Sequence, residues 1–288
     1  MTTSEVLAKV RRIEIKTVGI SNHVFSGEYH SAFKGRGMSF SEVREYAPGD
    51  DVRTIDWNVT ARFSTPYVKV FEEERELTLM LLVDISKSSL FGSVVQNKRD
   101  IITEICGVLS FAAINNNDKV GVIFFSDKIE KYIPPKKGKS HVLRIIRELI
   151  TIQPAANTKT DIQVCLEYFN RIIKKKAITL LVSDFISPDF STPLKIAARK
   201  HDLIGMQVFD PMDRVLPDVG VIQIQDIETG GMQWIDASNK ATRQQYTQQF
   251  DIHKNGIHQL FKKNGAHLIS MDTQQDYVKK LQTFFVSR

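Results

Sequence analysis

The chain has 288 residues, of which 42% are hydrophobic and 25% charged, and its 39 Lys and Arg against 33 Asp and Glu give a formal net charge of +6. That is the balance of a globular chain with one large domain or two small ones, and it excludes a disordered tail, a collagen-like fibre and a disulfide-dense miniature. The longest apolar run, Leu77–Val83 interrupted by Thr78, falls well short of the roughly 20 residues that a membrane-spanning helix needs.

The opening MTTSEVLAKVRRIEIK has no apolar core behind its charges, so no secretory signal is expected. Ser4–Thr17 reads as a charge-rich helix. Up to residue 76 the chain then loses periodicity. Gly27, Gly35, Gly37 and the Pro48-Gly49-Asp50 turn punctuate it, which predicts loops and short strands. From Leu77 apolar strands alternate with amphipathic helices. LTLMLLV (77–83) is a strand ending at Asp84. Lys98–Ile114 is a helix, with Ile101, Ile102, Ile105, Val108, Leu109 and Ala112 on one stripe. VGVIFF (120–125) and IEKYI (129–133) form a hairpin. Helices follow over 139–150 and 160–173, a strand over 178–183 ends at Asp184, and a short helix spans 193–200. A strand over 203–209 ends at Asp210, and a hairpin over 221–236 turns at Gly230-Gly231. The chain closes with a long helix (240–263), a strand (266–271) and a helix (276–285).

This alternation predicts an α/β fold, a doubly wound, mostly parallel sheet covered on both faces, with one antiparallel edge strand at Ile129–Ile133. Residues 77–288 are expected to form that domain, and residues 1–76 an extension packed on it. Such sheets bind ligands outside the carboxyl ends of their strands. Here those ends carry Asp84, Asp127, Asp184 and Asp210, which suits a cation better than a phosphate.

Asp84-Ile85-Ser86-Lys87-Ser88 places one carboxylate and two hydroxyls at alternate positions of an extended turn. Oxygen donors of this kind suit a hard divalent cation such as Mg2+, with Mn2+ or Ca2+ as alternatives. A site with few carboxylates leaves the cation charge to spare for a partner's acidic side chain. Thr160 and Asp184 are the positions that could complete it. Each also has a plain structural reading. Thr160-x-x-Gln163 fits a helix capping box, the serines can cap a helix, and Asp184 can cap a turn.

Taken in this order, Asp84, Ser86, Ser88, Thr160 and Asp184 resemble the metal-ion-dependent adhesion site (MIDAS) of von Willebrand factor A domains. The upstream stretch is similar to the signature of the bacterial family catalogued as domain of unknown function 58. The matching residues are Gly35-Arg36-Gly37-x-Ser39-Phe40-x-Glu42-x-Arg44-x-Tyr46, Gly49-Asp50-Asp51-x-Arg53-x-Ile55-Asp56-Trp57, Ala61-Arg62 and Phe71–Glu76. The resemblance implies an A-type domain with no catalysed reaction. It further implies a partner, a MoxR-type AAA+ ATPase with which such proteins act in assembly or maturation of other proteins.

Arg44, Arg53, Arg62 and Arg75 alternate with acids in the upstream stretch, which predicts bidentate Arg–carboxylate clamps. Trp57 and Phe40 are expected to anchor it in a core. Residues 119–147 hold eight basic groups against Asp127 and Glu130. They read as a solvated rim, or as a docking patch for an acidic partner through Lys136, Lys137 and Lys139. No aromatic–basic interleaving suggests nucleic acid. Cys106 and Cys165 have neither zinc nor disulfide spacing, so both read as packing residues in a reducing, cytoplasmic setting. Competing functions are a phosphatase-like metal-dependent hydrolase and a metal-free scaffold. An aspartyl phosphatase would need a second Asp where Ser86 stands.

Overall fold

The computed structural model describes residues 3–20, 39–63, 65–72, 77–90, 92, 97–153, 159–225 and 231–287. The chain divides into two compact units, one of residues 1–33 with 78–288 and one of residues 34–77.

The larger unit is built on a six-stranded sheet. Its strands are β3 (Thr78–Asp84), β4 (Lys119–Phe125), β5 (Ile129–Lys136), β6 (Ile178–Ser183), β7 (Asp202–Phe209) and β10 (His267–Asp272), in the spatial order β10-β7-β6-β3-β4-β5. All neighbours run parallel except β5, which returns antiparallel along β4. The central strands are apolar on both faces because both faces are covered. Met80, Leu81, Leu82 and Val83 of β3 are all buried.

On one face α3 (Lys98–Asn115) and α4 (Lys139–Thr151) pack together with α1 (Thr3–Ile20). Leu281 and Phe285 of α9 (Tyr277–Val286) join Leu79, Leu109 and Leu180 there. The other face carries α5 (Ile162–Ile172), α6 (Ser191–Lys200) and α8 (Lys240–Lys263). Leu166, Phe169, Leu194 and Phe261 close the core there against Leu82 and Leu181. Phe261 lies so close to β7 that a Cβ on Gly205 would sit 2.5 Å from its ring. The long C-terminal helix is therefore part of the core. Beyond β7 come a single-turn helix, α7 (Pro211–Arg214), and a separate two-stranded ribbon of β8 (Val221–Gln225) and β9 (Met232–Asp236).

The mostly parallel sense of the sheet and its antiparallel edge strand are those expected from the sequence. Strand β5 runs on through Pro134 and Pro135 to Lys136, which an edge strand tolerates because one side needs no N–H donors. The ribbon's turn, placed at Gly230-Gly231, begins outside the described residues, as do Gly27, Gly35, Gly37 and Arg75.

The expected boundary after residue 76 needs revision, because α1 belongs to the α/β unit. Val6, Val10, Ile13 and Thr17 form a buried stripe at helical spacing. Gly107 of α3 lets that stripe approach, since a Cβ there would meet Ile13 and Thr17 at 3.3 Å. Ion pairs Lys9–Asp100 and Lys16–Glu104, both 2.5 Å, border the contact.

The second unit holds an antiparallel pair, β1 (Ser39–Glu45) with β2 (Tyr67–Glu72), and a helix, α2 (Trp57–Phe63), where loops and strands were expected. Asp56 nucleates α2 by accepting from the N–H groups of Asn58 and Val59. The predicted clamp is present at Arg44, whose guanidinium meets both Asp50 oxygens at 2.8 and 2.6 Å. Trp57 is not the expected anchor. It is 68% exposed, and the seven-residue α2 buries none of its residues.

Candidate metal centre

The carboxyl ends of β3 and β6 lie level, because the parallel register pairs Val83 with Val182. The next residues are Asp84 and Ser183. Across this join the Ser183 hydroxyl donates to Asp84 Oδ2 at 2.6 Å. The Thr160 hydroxyl donates to the same oxygen at 3.2 Å. Asp84 Oδ1 accepts the backbone N–H of Ser86 at 2.8 Å, folding the turn so that the Ser86 and Ser88 hydroxyls lie 3.0 Å apart. Asp84, Ser86, Thr160, Ser183 and Asp184 are all buried. Burial and, after it, the neighbouring charge of Asp184 push the Asp84 carboxyl up to about 6.

The five residues singled out in the sequence therefore meet at one edge. The capping alternative for Thr160 fails, since Asp161 caps α5 by accepting from the Val164 N–H. This leaves Thr160 turned toward Asp84. Asp184 Oδ1 does cap a turn, accepting from the Ile186 N–H at 3.2 Å. Its other oxygen, Oδ2, is buried and accepts no hydrogen bond. The next residue, Phe185, takes a left-handed φ of 63°. A bulky residue there is strained unless its surroundings hold it. Phe185 is held by the Phe190 and Phe261 rings and by its N–H donating to Ser183 Oγ.

Sequence reasoning missed three residues of this edge. Ser183 hid inside an apolar strand. Lys98, the first residue of α3, has its ammonium 3.7 Å from Asp184 Oδ2 and 2.7 Å from Asp213 Oδ2. Its side chain is 3% exposed. A signal for it existed, because a lysine in the first helical turn opposes the helix dipole. Asp213 is fixed in turn by the Asp210 N–H, which donates to it at 2.8 Å.

The basic patch stands elsewhere. Lys136 pairs with Val120 at the start of β4, and Val120 lies level with Leu79. That is five residues from Asp84, about 16 Å along a strand. Because β5 doubles back, it carries Lys136, Lys137 and Lys139 to the amino edge, and Lys139 pairs there with Glu14 at 2.6 Å. These lysines do not rim the site.

The donors fit a hard divalent cation in kind. Among the described residues no three His, Cys, Asp or Glu side chains gather as a metal-binding group. A cation here would rest on two carboxylates and three hydroxyls, with Asp184 Oδ2 the buried oxygen still short of a hydrogen-bond donor.

Residues 42–256 match the family described as "Protein of unknown function DUF58". The chain belongs to this family. Its relatives include "Uncharacterized protein Rv1480" of Mycobacterium tuberculosis, 29% identical over 286 residues, which are 99% of this chain and 90% of the relative. "Uncharacterized protein YeaD" of Bacillus subtilis is 29% identical over 109 residues, 38% of this chain and 25% of that protein. Among solved structures, BatB from Bacteroides thetaiotaomicron is similar at 17% identity and a TM-score of 0.48, covering 73% of this chain and 97% of that one. The SpRpn10 VWA domain is similar at 9% identity and a TM-score of 0.41, covering 72% and 94%. Among the described residues no helix is long and apolar enough to cross a membrane.

Proposed function

We propose that the chain is a non-enzymatic, divalent-cation-dependent protein-binding module that acts with a MoxR-type AAA+ ATPase in assembly or maturation of other proteins. The observation that supports this reading best is the convergence of Thr160, Ser183 and the Ser86 turn on Asp84, beside an Asp184 oxygen that accepts no hydrogen bond. Asp84, Ser86, Ser88, Thr160 and Asp184 would hold Mg2+, with Mn2+ or Ca2+ as alternatives. When bound, such an ion supplies a Lewis-acidic position for one acidic side chain of a partner.

The chain's own residues prepare that position. Ser183 and the Ser86 N–H fix the Asp84 carboxylate, and Phe185 fixes the angle of Asp184. Large apolar side chains flank the edge. Ile186, two residues after Asp184, is 49% exposed, and Met212, beside Asp213, is 40% exposed. A polar centre with apolar neighbours suits a protein surface. A hydrolase would need an acid–base group at the site. Ser86 occupies the position of a second aspartate, and the Lys98 ammonium is held by Asp213. Both cysteines are free and buried, in keeping with a proposed cytoplasmic setting.

The test is association with a MoxR-type ATPase from the same genome, measured in Mg2+ and in EDTA. Association in Mg2+ that EDTA and Asp84→Ala both abolish is the expected result. Equal affinity in both media, with Asp84→Ala binding normally, would leave the metal-free scaffold as the better reading.

A further inference from the structure

Lys98 is the unexplained charge of this edge. It opens α3, where the helix dipole disfavours a cation, and it is removed from solvent. A buried ammonium is costly unless anions compensate it. Asp213 and Asp184 contribute to this unequally. Asp213 takes the hydrogen bond at 2.7 Å, while Asp184 Oδ2 stands at 3.7 Å, beyond hydrogen-bond length. Asp213 is not free to move toward either neighbour. The Asp210 N–H holds its Oδ2, and the Asp210 carboxylate closes the same capping box on α7. The ammonium is thus tethered to Asp213 rather than to Asp184. It lends Asp184 charge without occupying its oxygen.

We propose that Lys98, tethered by Asp213, sets the cation affinity of the Asp84–Asp184 site. Its positive charge keeps the site weak for a divalent cation until a partner's carboxylate adds negative charge, and the tether keeps Asp184 Oδ2 open for the cation. The inference rests on the metal reading above and deepens it. It makes cation and partner bind together rather than in sequence. Two substitutions should act in opposite directions. Lys98→Met removes the repelling charge and leaves Asp213 as an added anion nearby. Asp213→Asn releases the ammonium, which then turns onto Asp184 Oδ2 and competes with the cation.

The experiment is a calorimetric titration of the whole chain with MgCl2 alone, for the wild type, Lys98→Met, Asp213→Asn and Asp84→Ala, each with its circular dichroism spectrum and melting curve. Lys98→Met should bind Mg2+ at least about tenfold more tightly than the wild type. Its melting temperature should fall without Mg2+ and recover with it. Asp213→Asn should bind about tenfold more weakly. A Lys98→Met protein with a native spectrum and unchanged or weaker affinity would overturn the inference. Should Lys98→Met not fold, unchanged or tighter binding by Asp213→Asn would overturn it instead. Heat in the wild type that Asp84→Ala lacks, but that neither Lys98→Met nor Asp213→Asn alters, would remove Lys98 and spare the metal site. Absence of heat in every protein, Lys98→Met included, would remove both.

Discussion

Asp84 and Asp50 are the same side chain put to opposite uses in the two units. Asp50 lies at the surface of the 34–77 unit beneath the fork of Arg44, and that guanidinium holds its carboxyl below the usual range, with the Ala47 N–H assisting. Asp84 lies at the carboxyl edge of the α/β sheet, where burial and Asp184 push it up to about 6. Asp50 is neutralised by a guanidinium of its own unit, which supplies two of the three hydrogen bonds it accepts. Asp84 is held by two hydroxyls and one N–H, all of them neutral donors. A charge satisfied within the chain is structural, whereas a buried charge left short of a counter-ion is available to one from outside.

The largest effect should come from deleting the two carboxyls in turn. Asp84→Ala should remove Mg2+ binding, a loss of at least about a hundredfold, as expected when a cation loses one of two carboxylate ligands. Asp50→Ala should leave it unchanged. A titration in which Asp50→Ala weakens binding as much as Asp84→Ala would break the distinction. Ser183→Ala tests the support rather than the ligand. Removing a hydrogen bond that orients a ligand typically costs 10–100-fold in affinity, so a loss of about tenfold is expected, with the fold retained.

The next effect is on stability, and its sign follows from proton uptake. Between about pH 4 and 6 the folded, metal-free protein holds a proton on Asp84 that the unfolded chain has released. The stability from this group is present below about pH 4 and lost as pH rises through 6, ~1–3 kcal/mol in all. His201 works the other way. It is buried against the Phe169 ring, its Nδ1 accepts the Ala177 N–H, and burial pulls it down to about 4. Its contribution is present above about pH 6.5 and lost as pH falls through 4. The two slopes oppose each other, so the wild type should be nearly flat across this window. Asp84→Asn should expose the His201 slope and lose stability on acidification. His201→Gln should expose the Asp84 slope and lose stability toward neutral pH. Denaturant melts across the window decide it. An Asp84→Asn profile identical to that of the wild type would show that the carboxyl is not perturbed.

The sheet was legible in the sequence because strand periodicity is a local signal, and the Asp-x-Ser-x-Ser turn pointed to the edge where Asp84, Ser86, Ser88, Thr160 and Asp184 come together. What was not legible depended on register and on reversal of the chain. Ser183 reads as strand interior until the pairing of Val83 with Val182 puts it opposite Asp84. Lys136, Lys137 and Lys139 look close to the site in sequence, but the antiparallel return of β5 takes them to the far edge. Helix α1 has the same charge texture as the segment after it. Only its stripe of Val6, Val10, Ile13 and Thr17, matched to Gly107 some ninety residues on, assigns it to the α/β unit. Trp57 was misjudged for a related reason, since an aromatic residue is an anchor only where its element has a face to bury.

The smallest effect belongs to the Arg44–Asp50 pair. Both groups are water-accessible, and an exposed ion pair gives little net stability because solvent and salt screen it. Its bidentate geometry and the Ala47 N–H bond still fix the Pro48-Gly49-Asp50 turn, where Gly49 takes a φ of 112° that favours glycine. Asp50→Asn should therefore shift the melting temperature only slightly, and less at high salt than at low salt. Gly49→Ala should shift it more, at any salt concentration, because the strain is in the backbone and is not screened. Asp50→Asn melting at a markedly lower temperature than Gly49→Ala, with equal loss at both salt concentrations, would mean that the carboxylate of the smaller unit bears on folding as heavily as Asp84 bears on the cation.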